Sequence, residues 1–183
     1  QVFARILRAQ GIPFVAVDHD ADQIELVRKF GNKVYYGDAT RADILEAAGA
    51  AKAKYLILAI DDVEQSLRAA RAVLDHFPNL KIFARARNRG HAFDLLNLGI
   101  TSIKREVFDS SVYFVRDLLV AMGFPAAKAL SIVEKFKVHD EIMMDRQFKV
   151  RHDDKMLMNL ARQGTAQLEQ VLAEDSLQSN ISR

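Results

Sequence analysis

The chain has 183 residues, 50% of them hydrophobic, which suits one folded domain with a short appended segment and argues against general disorder. Its 26 basic and 24 acidic residues nearly cancel, so bulk charge gives no argument for a nucleic-acid partner or an anionic membrane surface. The absence of cysteine excludes disulfides, thiolate zinc sites and a cysteine nucleophile.

Apolar segments that suit buried strands alternate with segments of helical spacing along the first hundred residues. The chain opens with a predicted helix over 1–12, whose apolar residues recur at helical spacing. Predicted strands follow at 13–18, 33–39, 53–60 and 81–86, with a short edge strand at 101–106. Predicted helices lie between them at 20–31, 40–49, 64–77 and 89–100. Thr40 is the predicted N-cap of the second of these helices, and Asp62 is that of the third. This alternation is typical of a parallel sheet with helices on both faces.

Polar residues follow each predicted strand, at 18–20, 37–39, 61–62 and 85–88. Sites in doubly wound sheets lie at the carboxyl ends of the strands, so we expect these residues to converge on one rim. Asp18 stands where dinucleotide-binding folds place an acid that binds ribose, but it is also compatible with an ordinary strand-ending or helix-capping residue. Asp38 is likewise compatible with a simple turn residue after Gly37.

The Gly-rich phosphate loop that normally precedes such an acid by about 20 residues does not occur in the sequence. The sequence also begins with a helix, where the nucleotide-binding topology begins with its central strand. We therefore expect a Rossmann-like doubly wound α/β sheet whose first strand and Gly-rich loop are missing just before Gln1. The alternative is a smaller sheet that never had this strand.

The residues beyond 106 have helical patterns, with predicted helices at 109–124, 125–148 and 155–176. The predicted organisation is a Rossmann-like domain at 1–106, a helical extension at 107–148 and a partly flexible helical tail at 149–183. His139–Asp140 has no identifiable serine or cysteine nucleophile beside it, so no catalytic residue is predicted. The segment 152–154 has ligand residue types but no second cluster at suitable spacing, so no metal site is predicted.

Several motifs in order resemble the cytosolic regulatory domain of Kef-type potassium efflux systems, a member of the KTN/RCK class. They are "VDHDADQIELVRKFGNKVYYGDATRADILEAAGAAKAKYLILAIDD", "HFPNLKIFARARN" and "LGITSIKREVFDSS", and the resemblance covers residues 1–143. The family comprises glutathione-gated potassium/proton antiporters of Gram-negative bacteria. The resemblance implies a domain that binds AMP or NAD(H) without catalysing a reaction, at the cytoplasmic face of the inner membrane.

The resemblance also implies a set of nucleotide contacts at the strand ends. Asp18 matches the ribose-binding acid, Asp38 the residue that receives the adenine amino group, and Arg85 a residue placed to meet phosphate. The complete implied set is Asp18, His19, Asp38, Ala39, Thr40, Ala59, Ile60, Asp61 and Arg85.

A second implied site holds glutathione at the interface of a two-fold homodimer. Its implied contacts are Arg5, Asn88 and Arg105, with Asp140 supplied by the other protomer, and Phe30 matches an aromatic residue at the dimer interface. Some family members have asparagine where this chain has Asp140, and an aspartate repels the carboxylates of the ligand. The implied partners are the membrane domain of the same transporter and, in some members, a flavodoxin-like ancillary oxidoreductase.

Two other functions stay open from the sequence. One is a KTN domain of another potassium transporter or channel, gated by nucleotide alone. The other is an NAD-dependent oxidoreductase, for which the sheet is suitable but no Tyr-x-x-x-Lys pair or substrate domain is visible.

Overall fold

The computed structural model describes residues 2–29 and 33–181 of the chain. The chain divides between Arg105 and Glu106 into two compact units. The described strands all belong to the first unit, and the second unit is helical. Within these residues no helix combines the length and apolar character needed to cross a membrane.

Strands alternate with helices along the N-terminal unit. The described strands are β1 (Val15–Asp18), β2 (Lys33–Tyr36), β3 (Tyr55–Leu58), β4 (Lys81–Ala86) and β5 (Ser102–Arg105). The helices are α1 (Val2–Ala9), α2 (Ala21–Lys29), α3 (Ala42–Ala47), α4 (Val63–His76) and α5 (Arg89–Asn97), with one 3-10 turn at Ala50–Lys52. Every predicted strand is present, and all but β4 are shorter than predicted.

The strands form two parallel sheets, which confirms the predicted parallel pairing but not one continuous sheet. β1 pairs with β2, while β4 lies between β3 and β5. Asp18 stands opposite Tyr36 in the first sheet, and Leu58 stands opposite Ala84 in the second.

The sheet formed by β3, β4 and β5 is covered by α4 and α5 on one face. The buried residues of this layer are Leu58, Ala69, Ala70, Val73, Ile82, Ala84, Ala86, Ala92 and Leu95. Alternate strand residues point to the opposite face, where Tyr55, Ile57 and Phe83 are 60%, 42% and 48% exposed. Coverage of both faces, as predicted, is therefore not observed for β3 and β4 in the described part of the chain.

The C-terminal unit consists of helices that pack in chain order. They are α6 (Phe108–Ala121), α7 (Ala126–Lys149) and α8 (Asp154–Ile181). α6 packs on α7, and α7 packs on α8. Val112, Ala129, Val133 and Met143 are buried apolar residues of this unit. A Cβ on Gly164 of α8 would lie 2.8 Å from Met143 Cε, so glycine permits the close approach of α8 to α7.

Candidate functional site

The ends of β1 and β2 lie side by side and carry two aspartates. Asp18 is the last residue of β1, and the Gly37 amide donates a hydrogen bond to the Asp18 carbonyl oxygen over 2.9 Å. A Cβ on Gly37 would lie 2.7 Å from Ile44 Cγ2, so glycine allows α3 to pack closely on this turn. The structure thus places Asp18 and Asp38 at neighbouring strand ends.

Each of these aspartates accepts a backbone amide from its own loop. Asp18 Oδ1 accepts from the Asp20 N–H over 3.0 Å, and Asp38 Oδ1 accepts from the Thr40 N–H over 2.8 Å. Such two-residue Asx turns hold the carboxylates in defined positions. His19 lies beside the first of them, with Nδ1 3.9 Å from Asp18 Oδ1.

The pKa of the Asp38 carboxyl is held below its usual value. The main causes are hydrogen bonds from the Thr40 backbone and side chain, and the positive charge of Arg68 adds to them, while limited burial opposes the shift. Asp38 is therefore ionised at neutral pH and suited to accept a hydrogen bond from an amine. Arg68 was not a predicted site residue, because its helical pattern does not distinguish it from a solvated cation.

Thr40 does not cap α3, so that prediction is wrong. The N-cap is Arg41, which makes no side-chain capping bond. Its guanidinium instead forms a two-bond ion pair with Asp43, at 3.1 Å from Nε and 2.7 Å from Nη2. Thr40 lies one residue earlier, in the turn that Asp38 closes over Ala39.

The ends of β3 and β4 carry an ion pair between strands. Arg85 Nη2 donates to the Ala59 carbonyl oxygen over 2.8 Å and also to the Asp61 carboxylate. Arg87 Nη1 donates to the Asp61 carbonyl oxygen over 3.3 Å. Two arginines from the end of β4 therefore hold the segment after β3, which includes the half-buried Ile60.

The turn from β4 to α5 depends on a buried histidine that was not predicted. Asn88 caps α5, and its Oδ1 accepts from the His91 N–H over 2.9 Å. His91 Nδ1 in turn accepts from the Arg87 N–H over 3.1 Å, a reciprocal arrangement close to a capping box. His91 is 2% exposed, and burial lowers its pKa, so the neutral ring protonated at Nε2 fits this bond.

The predicted glutathione contacts lie on several elements. Arg5 is exposed on α1. Arg105 ends β5, which pairs with β4 and so lies beside the strand that leads to Asn88. Asp140 belongs to α7 of the C-terminal unit and is 7% exposed. Phe30, the predicted interface residue, lies outside the described residues.

The acidic segment before α8 serves as a helix start. Asp153 Oδ1 accepts a hydrogen bond from the Met156 N–H over 3.0 Å, near the first turn of α8. Across 2–29 and 33–181, no group of three or more His, Asp or Glu side chains is arranged to hold a metal ion.

Comparison with known proteins covers both units. The family model of the TrkA-N domain matches residues 1–105, and that of the potassium efflux system KefB C-terminal domain matches residues 110–183. The chain is 39% identical over 175 residues to the glutathione-regulated potassium-efflux system protein KefC of Salmonella arizonae, and equally to that of Escherichia coli O139:H28. These alignments cover 96% of this chain and 28% of each relative.

The chain is also similar to solved structures of a Kef CTD and of a TrkA-N domain. The Kef CTD of Shewanella denitrificans, in an AMP-bound form, is 41% identical with a TM-score of 0.76, over 82% of this chain and 91% of that one. The TrkA-N domain of the Escherichia coli inner membrane protein ybaL is 20% identical with a TM-score of 0.59, over 64% of this chain and 87% of that one. The second likeness concerns the fold alone.

Proposed function

This chain belongs to the TrkA-N domain family, and we propose that it is the nucleotide-binding regulatory domain of a Kef-type potassium/proton antiporter. In this proposal the domain binds AMP or NAD(H) and catalyses no reaction on it. The observation that carries the proposal is the meeting of Asp18 and Asp38 at neighbouring strand ends, each held by an amide of its own loop. The AMP-bound form of the similar Kef CTD supports an adenine nucleotide.

The adenosine half of the ligand lies at the ends of β1 and β2 in the proposed site. Asp18 accepts hydrogen bonds from the ribose hydroxyls, a task that suits an ionised carboxylate. His19 flanks this contact. Asp38 accepts a hydrogen bond from the adenine amino group, and Ala39 and Thr40 lie beside the base.

The phosphate half lies at the ends of β3 and β4. The guanidinium of Arg85 offers a planar fork that binds two phosphate oxygens. Ala59, Ile60 and Asp61 form the wall next to it. We therefore expect AMP to bind more tightly than adenosine.

Glutathione is the proposed regulatory ligand. Its two carboxylates favour a pocket lined by cations, which Arg5 and Arg105 supply. Asn88 lies on the loop beside Arg105 and adds a polar contact. Asp140 of the second protomer is the least accessible of the proposed contacts, since it is 7% exposed.

A homodimer is part of the proposal, and the surface of α6 supports it. Phe114, Leu118 and Met122 are 74%, 51% and 66% exposed. Their spacing of four residues places them on one side of α6 and its C-terminal end. An exposed apolar stripe of this kind is typical of a protein–protein interface.

Gating requires ligands that discriminate between two states of the dimer, because a ligand with equal affinity for both shifts nothing. We propose that glutathione favours the state that keeps the transporter shut. A glutathione adduct with a bulky S-substituent favours the open arrangement. The proposed partners are the transporter's own membrane domain, at the cytoplasmic face of the inner membrane, and a flavodoxin-like ancillary oxidoreductase.

Calorimetric titration of glutathione, and of an S-substituted adduct, into the AMP-saturated protein tests the proposal. Both ligands should bind saturably, and Arg105→Ala should abolish both titrations. Lys104→Ala is the matched control, because it removes a neighbouring cation on the opposite face of the same strand. If neither ligand binds while AMP does, the glutathione part of the proposal is wrong.

A regulator that responds to nucleotide alone is the second candidate function. It is favoured by the burial of Asp140 and by the capping bond of the Asn88 side chain. Glutathione affinity that is unchanged in both Arg5→Ala and Arg105→Ala would indicate this function.

A further inference from the structure

Asp61 binds the guanidinium that the proposed site assigns to the ligand phosphate. We propose that Asp61 is an internal counter-anion, which competes with phosphate for Arg85 and so lowers the affinity for phosphorylated ligands. This inference rests on the proposed nucleotide function and assigns Asp61 a role beyond lining the site.

Arg85 contacts two groups of different kinds after β3, besides any other partner it has. The Ala59 carbonyl oxygen, 2.8 Å from Nη2, belongs to the backbone and holds the guanidinium against the strand end. The Asp61 carboxylate belongs to a side chain that is 77% exposed, whereas the Arg85 side chain is 27% exposed. Asp61 is therefore the partner that another anion can replace, while Ala59 keeps the cation in position.

The backbone at Asp61 is anchored separately from its carboxylate. Arg87 Nη1 donates to the Asp61 carbonyl oxygen over 3.3 Å, so rotation of the side chain leaves this contact in place. Phosphate and carboxylate accept the same type of charge-assisted hydrogen bond from a guanidinium. Exchange at Arg85 thus needs a change of side-chain rotamer rather than a rearrangement of the loop.

The consequence is a selective effect on ligands that carry phosphate. AMP must displace the Asp61 carboxylate from Arg85, whereas adenosine leaves the pair intact. Removing the Asp61 charge should therefore strengthen AMP binding and leave adenosine binding unchanged.

Calorimetric titration of AMP and adenosine into the wild-type protein and four variants tests this inference. Asp61→Asn should tighten AMP binding about two- to fivefold, the range expected for so exposed an ion pair, without affecting adenosine. Arg85→Gln should weaken AMP binding, and Asp61→Asn should have no further effect in that background. Asp62→Asn is the matched control: it removes the same charge one residue away, while asparagine keeps the α4 cap that Asp62 makes with the Gln65 N–H.

Two results would overturn the inference while the nucleotide function stands. One is weaker binding of both AMP and adenosine by Asp61→Asn, which would make Asp61 a direct ligand contact. The other is equal tightening of AMP by Asp61→Asn and Asp62→Asn, which would indicate a general field effect. Failure of the wild-type protein to bind any adenine nucleotide would instead overturn the proposed function together with the inference.

Discussion

The two pairs of strand ends carry side chains of opposite charge and hold them in position by different contacts. At β1 and β2, Asp18 and Asp38 are held by amides two residues further along the chain. At β3 and β4, Arg85 is held by groups 26 and 24 residues away, at Ala59 and Asp61. The first pair presents carboxylates fixed by local turns, and the second presents a cation that already has an anionic partner. In the proposed nucleotide site, we therefore expect affinity to depend on turn geometry at the first pair and on anion exchange at the second.

The largest expected effect concerns His91, which holds the end of β4. His91→Leu should lower the free energy of unfolding by about 2 kcal/mol, because it leaves the Arg87 N–H of a part-buried turn without its acceptor. His91→Asn keeps an acceptor near the position of Nδ1, so its free energy of unfolding should fall by less. Urea denaturation of the two variants measures the difference. Equal stability of the two variants would show that the hydrogen bond to Arg87 does not hold the turn.

The next effect concerns Asp18 at the end of β1. Asp18→Ala should weaken AMP binding about tenfold or more, because hydrogen bonds to a charged group contribute roughly 1.5–3 kcal/mol. Asp18→Asn keeps the acceptor for the Asp20 amide, so its affinity for AMP should lie between those of the wild-type protein and Asp18→Ala. Asp22→Ala, which removes an acid in the first turn of α2, is the control for charge in calorimetric titrations. Wild-type affinity in Asp18→Ala would exclude a ribose contact.

A smaller effect is expected at Asn88, the cap of α5. Asn88→Ala should lower the free energy of unfolding by about 1 kcal/mol, the usual cost of losing an N-cap. Asn88→Asp keeps the cap and should preserve stability, but its added charge should weaken glutathione binding. Thermal unfolding and calorimetry separate the capping role of Asn88 from its proposed contact with glutathione. The capping role is contradicted if the alanine and aspartate variants are equally stable.

The smallest effect is a pH dependence that follows from the lowered pKa of His91. The unfolded chain takes up a proton as the pH falls below 6.5, the usual value for this group, while the buried ring stays neutral to lower pH. The stabilising contribution is therefore complete above pH 6.5 and is lost as the pH falls towards the folded pKa. Urea unfolding at pH 7.5 and 5.5 should show this loss in the wild-type protein and less of it in His91→Asn. The same loss in both proteins would assign it to other groups.

The order of strands and helices was predictable, because it depends on patterns within short segments. The same holds for the cap at Asp62, which lies directly before an amphipathic helix and accepts the Gln65 amide as expected. Thr40 has an equally good capping residue type, yet its backbone amide and its side chain both bond to Asp38, and α3 begins at Ala42 with Arg41 as its N-cap. Residue type alone does not distinguish these two uses of a threonine.

Two side-chain contacts near the candidate site were not predictable from residue patterns. Arg85 was predicted to meet phosphate, but its pairing with Asp61 depends on the register of β3 against β4. His91 occurs in the segment "RGHAF", whose pattern predicts only the start of a helix. Its burial and its contact with Arg87 show that it holds the turn from β4 to α5. The first contact arises from tertiary packing and the second from the local geometry of a turn, and the periodicity of a segment is insensitive to both.

Amide hydrogen exchange with and without AMP tests most directly the central claim that both pairs of strand ends form one nucleotide site. The account predicts slower exchange with AMP in residues 18–20 and 38–40, at the first pair, and in residues 59–61, at the second. Slower exchange in the first pair alone, with residues 59–61 unchanged, would contradict a site that spans both.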